Sequence, residues 1–160
     1  MKTKFLFVSL TILALILSAC ASATPAPAPV IPVTGLSKGA AMPSGPAAVN
    51  AGQNASLGSF LVDSKGLTLY IYTKDTPNTS NCYGACASYW PPLLTAGAPL
   101  AGTGVTASML GTTKRTDGTS QVTYNGWPLY YYASDHAAGD TTGENVQGVW
   151  FVLTPAGAQK

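Results

Sequence analysis

Gly66-Leu67-Thr68-Leu69-Tyr70-Ile71-Tyr72-Thr73-Lys74-Asp75 returns sixty residues later as Gly126-Trp127-Pro128-Leu129-Tyr130-Tyr131-Tyr132-Ala133-Ser134-Asp135. Gly, Leu, both tyrosines and Asp coincide, and at the same offset Trp90 falls on Trp150 and Leu93 on Leu153. Seven identities in one register amount to an internal duplication, and two copies are too few for a solenoid. The expected architecture is a small all-β domain over 57–160, sheet- or barrel-like, made of two fused repeats with a pseudo-twofold relation and a shared core. Repeat 1 covers about 57–95 and repeat 2 about 110–155.

Local chemistry supports strands. Leu69–Tyr72 and Leu129–Tyr132 are rich in aromatic and large aliphatic residues and are bounded by turn residues. Alternation puts Tyr70 and Tyr72 on one face and Leu69 and Ile71 on the other, so both faces are bulky and the strands should be covered on both sides. Asn125-Gly126 is a strong hairpin signal, because a type I′ turn needs positive φ at both central positions. Asp117-Gly118 is a second one. Together they predict a meander of about Leu110–Arg115, Thr119–Tyr124 and Trp127–Tyr132, with Val149–Leu153 closing that copy. In the first copy Phe60–Val62 and Leu67–Thr73 flank the hairpin turn Ser64-Lys65-Gly66. One short helix is expected over 82–89, with Asn81 as its N-cap.

Tyr70-x-Tyr72-x-x-Asp75 and Tyr130-x-Tyr132-x-x-Asp135 resemble the Y-x-[FWY]-x-x-D signature of a bacterial predicted-lipoprotein family, a tandem secreted repeat of unknown function. Cys82-Tyr83-Gly84-Ala85-Cys86-Ala87 and Trp90-Pro91-Pro92-Leu93 resemble the C-x-G-x-C-A and W-P-P-L stretches of the same family. The resemblance covers nearly all of 57–155 and implies an envelope or secreted protein. The second copy lacks the cysteine pair and the Trp-Pro-Pro, so the halves are not equivalent.

The N-terminal region carries its own signals. Lys2 and Lys4 precede an apolar run from Phe5 to Leu17, too short for a bilayer-spanning helix of about 20 residues but suited to a secretory signal peptide over 1–19. Leu17-Ser18-Ala19-Cys20 looks like the bacterial lipobox, which implies a lipidated Cys20 as the mature N-terminus. Two or more acyl chains anchor stably where one does not. Ala21 follows the cysteine, and the absence of Asp there permits the outer membrane. Residues 21–55 hold six prolines, ten alanines, four glycines and one charge, Lys38. Such a stretch buries too little to offset its ordering entropy, so 20–56 reads as a tether. The expectation is a monomer on the extracytoplasmic side of the bacterial cell envelope, partnered with membrane lipid and with an unknown ligand or envelope protein.

Composition excludes several functions. Charged residues make up 9% of the chain, with eight basic against six acidic, and Lys2 and Lys4 leave with the signal peptide. A neutral mature chain without a basic stripe does not bind nucleic acid. One His and one Glu leave little for acid–base catalysis, so the protein is not expected to be an enzyme. Asp135, His136 and a serine make a triad only on paper, since no nucleophile elbow is present. Asp140 and Glu144 lack the oxygen spacing of a calcium loop, and the default is a solvated loop.

Two candidate sites remain. The motif residues Tyr70, Tyr72, Asp75, Tyr130, Tyr132 and Asp135, with Trp90 and Trp150, serve either as scaffolding, the carboxylates partnering buried hydroxyls, or as an aromatic groove for a sugar or flat ring. On the scaffolding reading Tyr72 and Tyr132 are buried. Cys82 and Cys86 suit a disulfide in an exported chain, since residues i and i+4 of a helical turn put Cα atoms about 6 Å apart. The alternative is a copper or redox site of Cys82, Cys86 and His136, two soft thiolates and an imidazole. Met109 reads as core. No cofactor is expected otherwise.

Overall fold

The structure is a computed structural model that describes residues 43–160. The expected signal peptide, Cys20 and most of the expected tether lie outside the described residues. The elements in order are β1 (Ala48–Asn54), β2 (Gly58–Asp63), β3 (Tyr70–Tyr72), a short helix α1 (Ala85–Tyr89), β4 (Leu100–Ala101), β5 (Leu110–Lys114), β6 (Ser120–Tyr124), β7 (Trp127–Pro128) and β8 (Trp150–Val152). Single 3-10 turns occur at Ala107–Met109 and Val146–Gly148. The strands form three small sheets, ordered β2-β1-β4, β3-β8 and β5-β6-β7. The fold is all-β with one five-residue helix inside the expected 82–89 window, capped at Gly84 without a side-chain cap from Asn81.

The turn chemistry acts as the sequence predicts, with one variation. Asn125 and Gly126 both adopt positive φ, +49° and +80°, at the tight β6–β7 hairpin. At Asp117-Gly118 only the glycine does, at +83°. There the loop is longer and Asp117 ties it down by accepting from the Thr119 N–H and hydroxyl at 2.9 and 2.6 Å. At Ser64-Lys65-Gly66 the Asp63 carboxylate accepts the N–H groups of Lys65 and Leu67 at 2.8 and 2.9 Å.

Two expectations are corrected. The tether does not reach 56. Residues 48–54 form β1, paired antiparallel with β2 from Val49↔Asp63 to Asn54↔Gly58 and parallel with β4. Val49 is fully buried. The small residues that suggest a spacer instead allow close approach: a Cβ on Gly52 would sit 2.6 Å from Val62 Cγ1. The second correction concerns the meander, which stops at Pro128 rather than Tyr132. Leu129–Ala133 turns away to lie along 89–93, with Leu93 N–H donating to Leu129 O, Tyr131 N–H to Pro91 O and Ala133 N–H to Tyr89 O. Accordingly β8 closes the other copy, pairing Tyr70↔Val152, Ile71↔Phe151 and Tyr72↔Trp150.

The copies are therefore joined by exchange. Thr73 N–H donates to Val149 O just as Ala133 N–H donates to Tyr89 O, each pair shifted by the repeat length. Tyr70 and Tyr130 meet in the middle and trade both backbone hydrogen bonds, at 2.8 and 2.9 Å. Alternation along these strands then sorts the side chains. Leu69, Ile71 and Leu129 enter one cluster with Val49, Leu61, Val122 and Leu153. Tyr70 and Tyr130 enter another with Phe60, Cys82, Trp90 and Trp150. The shared core is thus two clusters, one on each face of the exchanged strands.

Candidate functional site

Each motif aspartate first organises its own turn. The N–H groups of Asp75 and Asp135 donate to the carbonyls of Tyr72 and Tyr132, three residues back, at 2.9 and 3.1 Å. One carboxylate oxygen then closes the loop that follows. Asp75 Oδ1 accepts from the Asn81 N–H at 2.7 Å, and Asp135 Oδ1 accepts from the Thr142 N–H and hydroxyl at 3.0 and 2.5 Å. The other oxygen reaches across the repeat boundary. Tyr70 hydroxyl donates to Asp135 Oδ2 at 2.7 Å, and Tyr130 hydroxyl donates to Asp75 Oδ2 at 2.6 Å. Both tyrosines are fully buried and both carboxylates are about 4% exposed. Burial and the facing carboxylates push both phenols well above the usual tyrosine range.

The rings close a ladder beside these pairs. Tyr132, Trp90, Trp150 and Tyr72 stack in that order, with successive centroids 4.2, 3.8 and 4.3 Å apart and interplanar angles of 24°, 3° and 14°. Tyr70 stands edge-on to Trp90 at 5.5 Å, and Tyr130 edge-on to Trp150 at 5.3 Å. The two indoles are buried, whereas the terminal rings of Tyr72 and Tyr132 are only half-buried, a correction to their expected burial. The crevice bounded by Leu67, Thr68, Tyr131, Tyr132 and Asp135 has no room for a water molecule. An open concavity of about 520 Å³ is lined by Thr95, Thr112, Lys114 and Ser120 among others, and no motif residue faces it.

Several residues that sequence reasoning passed over complete the site. Arg115, 4% exposed, donates to Ser80 Oγ, Gln121 Oε1 and Cys82 O at 2.8, 2.7 and 2.8 Å. Its guanidinium also lies 4.3 Å from the centroid of Tyr83. Ser80 Oγ is 2.7 Å from the Tyr130 phenol oxygen, which links the guanidinium to that pair. A lone buried arginine gives no sequence signal. Gly143, expected in a solvated loop, donates its N–H toward the Tyr70 hydroxyl at 3.3 Å. A Cβ there would stand 2.9 Å from both Trp90 and Tyr70, so only glycine fits against the rings. In the same loop Asp140 accepts from the N–H groups of His136 and Ala137, both at 2.8 Å, and Glu144 Oε2 accepts from the Val152 N–H at 2.7 Å.

Cys82 and Cys86 are joined as a disulfide with Cα atoms 5.3 Å apart. Neither offers a thiolate, and among the described residues no cluster of three His, Cys, Asp or Glu side chains could hold a metal. The copper set Cys82, Cys86 and His136 is not assembled. Asp135 directs its oxygens to Tyr70 and Thr142, and the His136 backbone N–H donates to Asp140. No buried side-chain nitrogen or oxygen among the described residues lacks a partner. The polar chemistry of the site is satisfied internally.

A family model described as a secreted repeat of unknown function matches residues 53–94 and 111–154, a little over half the chain. The two matched segments coincide with the two copies, and the second ends where β8 and the following Leu153 complete the exchange. No curated protein matches the chain, and no solved structure does.

Proposed function

The chain belongs to the family of secreted repeats of unknown function, which puts it outside the cytoplasm, and from that premise we propose that it is a non-catalytic module tethered by lipid to a bacterial envelope membrane. Leu17-Ser18-Ala19-Cys20 behind a short apolar run carries the anchoring. The folded body supports the non-catalytic part: both motif carboxylates are taken up by a phenol and by loop N–H groups, and the cysteines by each other. These carboxylates and cysteines are thus occupied within the body rather than offered to a substrate. The module's role is to bind or brace an envelope component through its outer surface, at the end of a spacer shorter than the sequence suggests.

Fractionation tests the anchor directly. Wild-type protein expressed in a bacterium should partition with membranes, and mass spectrometry of its first peptide should find Cys20 as the N-terminus carrying a diacylglyceryl group. Cys20→Ala should release the protein or leave its signal uncleaved. A mature chain that starts elsewhere, or an unmodified Cys20 thiol in membrane-bound protein, would overturn the reading.

A further inference from the structure

The ring ladder is more ordered than hydrophobic burial requires. Aromatic pairs ordinarily prefer offset or edge-to-face contacts over direct overlap. Here Trp90 and Trp150 lie 3.8 Å apart and 3° from parallel, nearly face to face, and a tyrosine continues the stack on each side. Each indole also has an edge-on phenol, and each of those phenols donates to a buried carboxylate. Stacked indoles share a positive hole between them. A phenol gives up an electron readily only when its proton can leave at the same time, and a hydrogen-bonded carboxylate is an acceptor already in place. The ladder ends in half-buried rings while its middle is sealed from water.

We propose that Tyr132, Trp90, Trp150 and Tyr72 form a single-electron relay whose proton-coupled terminals are the Tyr70–Asp135 and Tyr130–Asp75 pairs. A strong outer-sphere one-electron oxidant meets the exposed ring of Tyr72 or Tyr132 and removes one electron from the ladder. The hole settles on the indole pair. Tyr70 returns an electron to Trp90, or Tyr130 to Trp150, and the phenolic proton moves to Oδ2 of Asp135 or Asp75. The products are the reduced oxidant, neutral indoles, one neutral tyrosyl radical and one protonated aspartate. A small one-electron donor of the thiol or phenol class then reduces the radical, and the proton returns from the carboxyl group. No metal and no free cysteine take part. The module would absorb oxidising equivalents at the envelope surface or pass them on.

The test uses the purified full-length chain with tris-bipyridyl ruthenium(III), generated by a light flash, as oxidant. Tyr83, Tyr89 and Tyr131 are replaced by Phe to silence competing phenols, Tyr89 being 66% exposed and the Tyr131 hydroxyl donating to Asp63 Oδ2 at 3.1 Å. Electron paramagnetic resonance should show an indole radical giving way to a long-lived neutral tyrosyl radical, with slower conversion in D2O. Tyr70→Phe with Tyr130→Phe should abolish the long-lived signal but keep the indole transient. Each single variant should remove part of it, which keeps the test readable if the double variant does not fold. Asp75→Asn with Asp135→Asn should prolong the indole radical and erase the D2O effect. Retention of the full tyrosyl signal in the Tyr70→Phe and Tyr130→Phe proteins would overturn the proposal. So would an oxidised protein that yields only intermolecular dityrosine.

Discussion

Around Asp75 the phenol–carboxylate pair sits beside a buried guanidinium, with Ser80 bridging Tyr130 to Arg115 and the Cys82–Cys86 turn packed alongside. Around Asp135 there is no cation among the bonded partners; Thr142 donates both its N–H and its hydroxyl to the carboxylate, while Gly143 N–H donates to the Tyr70 hydroxyl. The motif is the same and the crossed bond has nearly the same length, 2.6 against 2.7 Å. What differs is the means of keeping a carboxylate out of water. One copy places opposite charge nearby, and the other folds a loop whose N–H and hydroxyl groups converge on the anion. Duplication therefore conserved the contact that joins the copies and left each copy free to solve desolvation locally. Such a contact constrains both halves at once, because each aspartate serves the other copy's tyrosine.

The largest effect should come from the ladder, which belongs to neither copy alone. Trp150→Ala and Trp90→Ala should each destabilise by about 3–5 kcal/mol in denaturant titrations, the range for buried aromatic truncation. Each indole is packed between two rings, with a third phenol edge-on. Tyr72→Ala and Tyr132→Ala should lose distinctly less, since those rings end the stack and are half-exposed. Equal losses at the ends and the centre would mean that the ladder is not the unit of stability.

Next comes the crossed bond itself. Tyr130→Phe and Tyr70→Phe each remove a hydrogen bond to a charged group, a loss of about 1.5–3 kcal/mol. Each change also strands a neighbour, Ser80 in Tyr130→Phe and the Gly143 N–H in Tyr70→Phe. Tyr130→Phe should still lie at the upper end, because Asp75 keeps one direct N–H donor where Asp135 keeps two donors from Thr142. Thermal or denaturant unfolding of the two variants, measured side by side, decides the order. A larger loss for Tyr70→Phe would show that Arg115 compensates better than the Thr142 loop does.

Much of this was legible in the sequence, but unevenly. The sixty-residue offset identified the duplicated strands and the positions of both tyrosines, and the turn chemistry of Asn125-Gly126 identified its hairpin, because those depend on local periodicity and backbone φ. It did not identify which strand pairs with which. Val149–Leu153 reads as the end of its own copy, since nothing local distinguishes pairing within a repeat from exchange between repeats. β1 was hidden for a different reason. Its alanines and glycine have weak strand propensity, and they are ordered only because β2 and β4 offer backbone partners on both sides. At the site, alternation placed Tyr70 and Tyr72 on one face, yet the crossed partners, Arg115 and Gly143 arise from tertiary contacts far apart in sequence. Gly143 is the clearest case: its lack of a side chain matters only because Trp90 and Tyr70 come from elsewhere to lie against it.

The smallest predicted effect is the most pointed test of the two settings. Burial pushes the Asp75 carboxyl above its ordinary range, although Tyr130, Asn81 and Arg115 each pull it down. The native state therefore holds that proton to higher pH than the unfolded chain does. Wherever the native state binds more protons, stability falls as pH rises. The contribution of Asp75 is thus fully present below the ordinary carboxylate value and declines as pH climbs through the raised one. Asp75→Asn, neutral throughout, lacks this slope. The stability advantage of wild type over Asp75→Asn should shrink as pH rises upward from the ordinary carboxylate range. Glu144, also raised by burial, contributes equally to both proteins and cancels in the difference. Arg115→Gln should steepen the decline, because it removes a positive charge that helps keep Asp75 ionised. An advantage that grows with pH, or a slope untouched by Arg115→Gln, would mean that the guanidinium does not tune this carboxylate and that the two settings differ in packing alone.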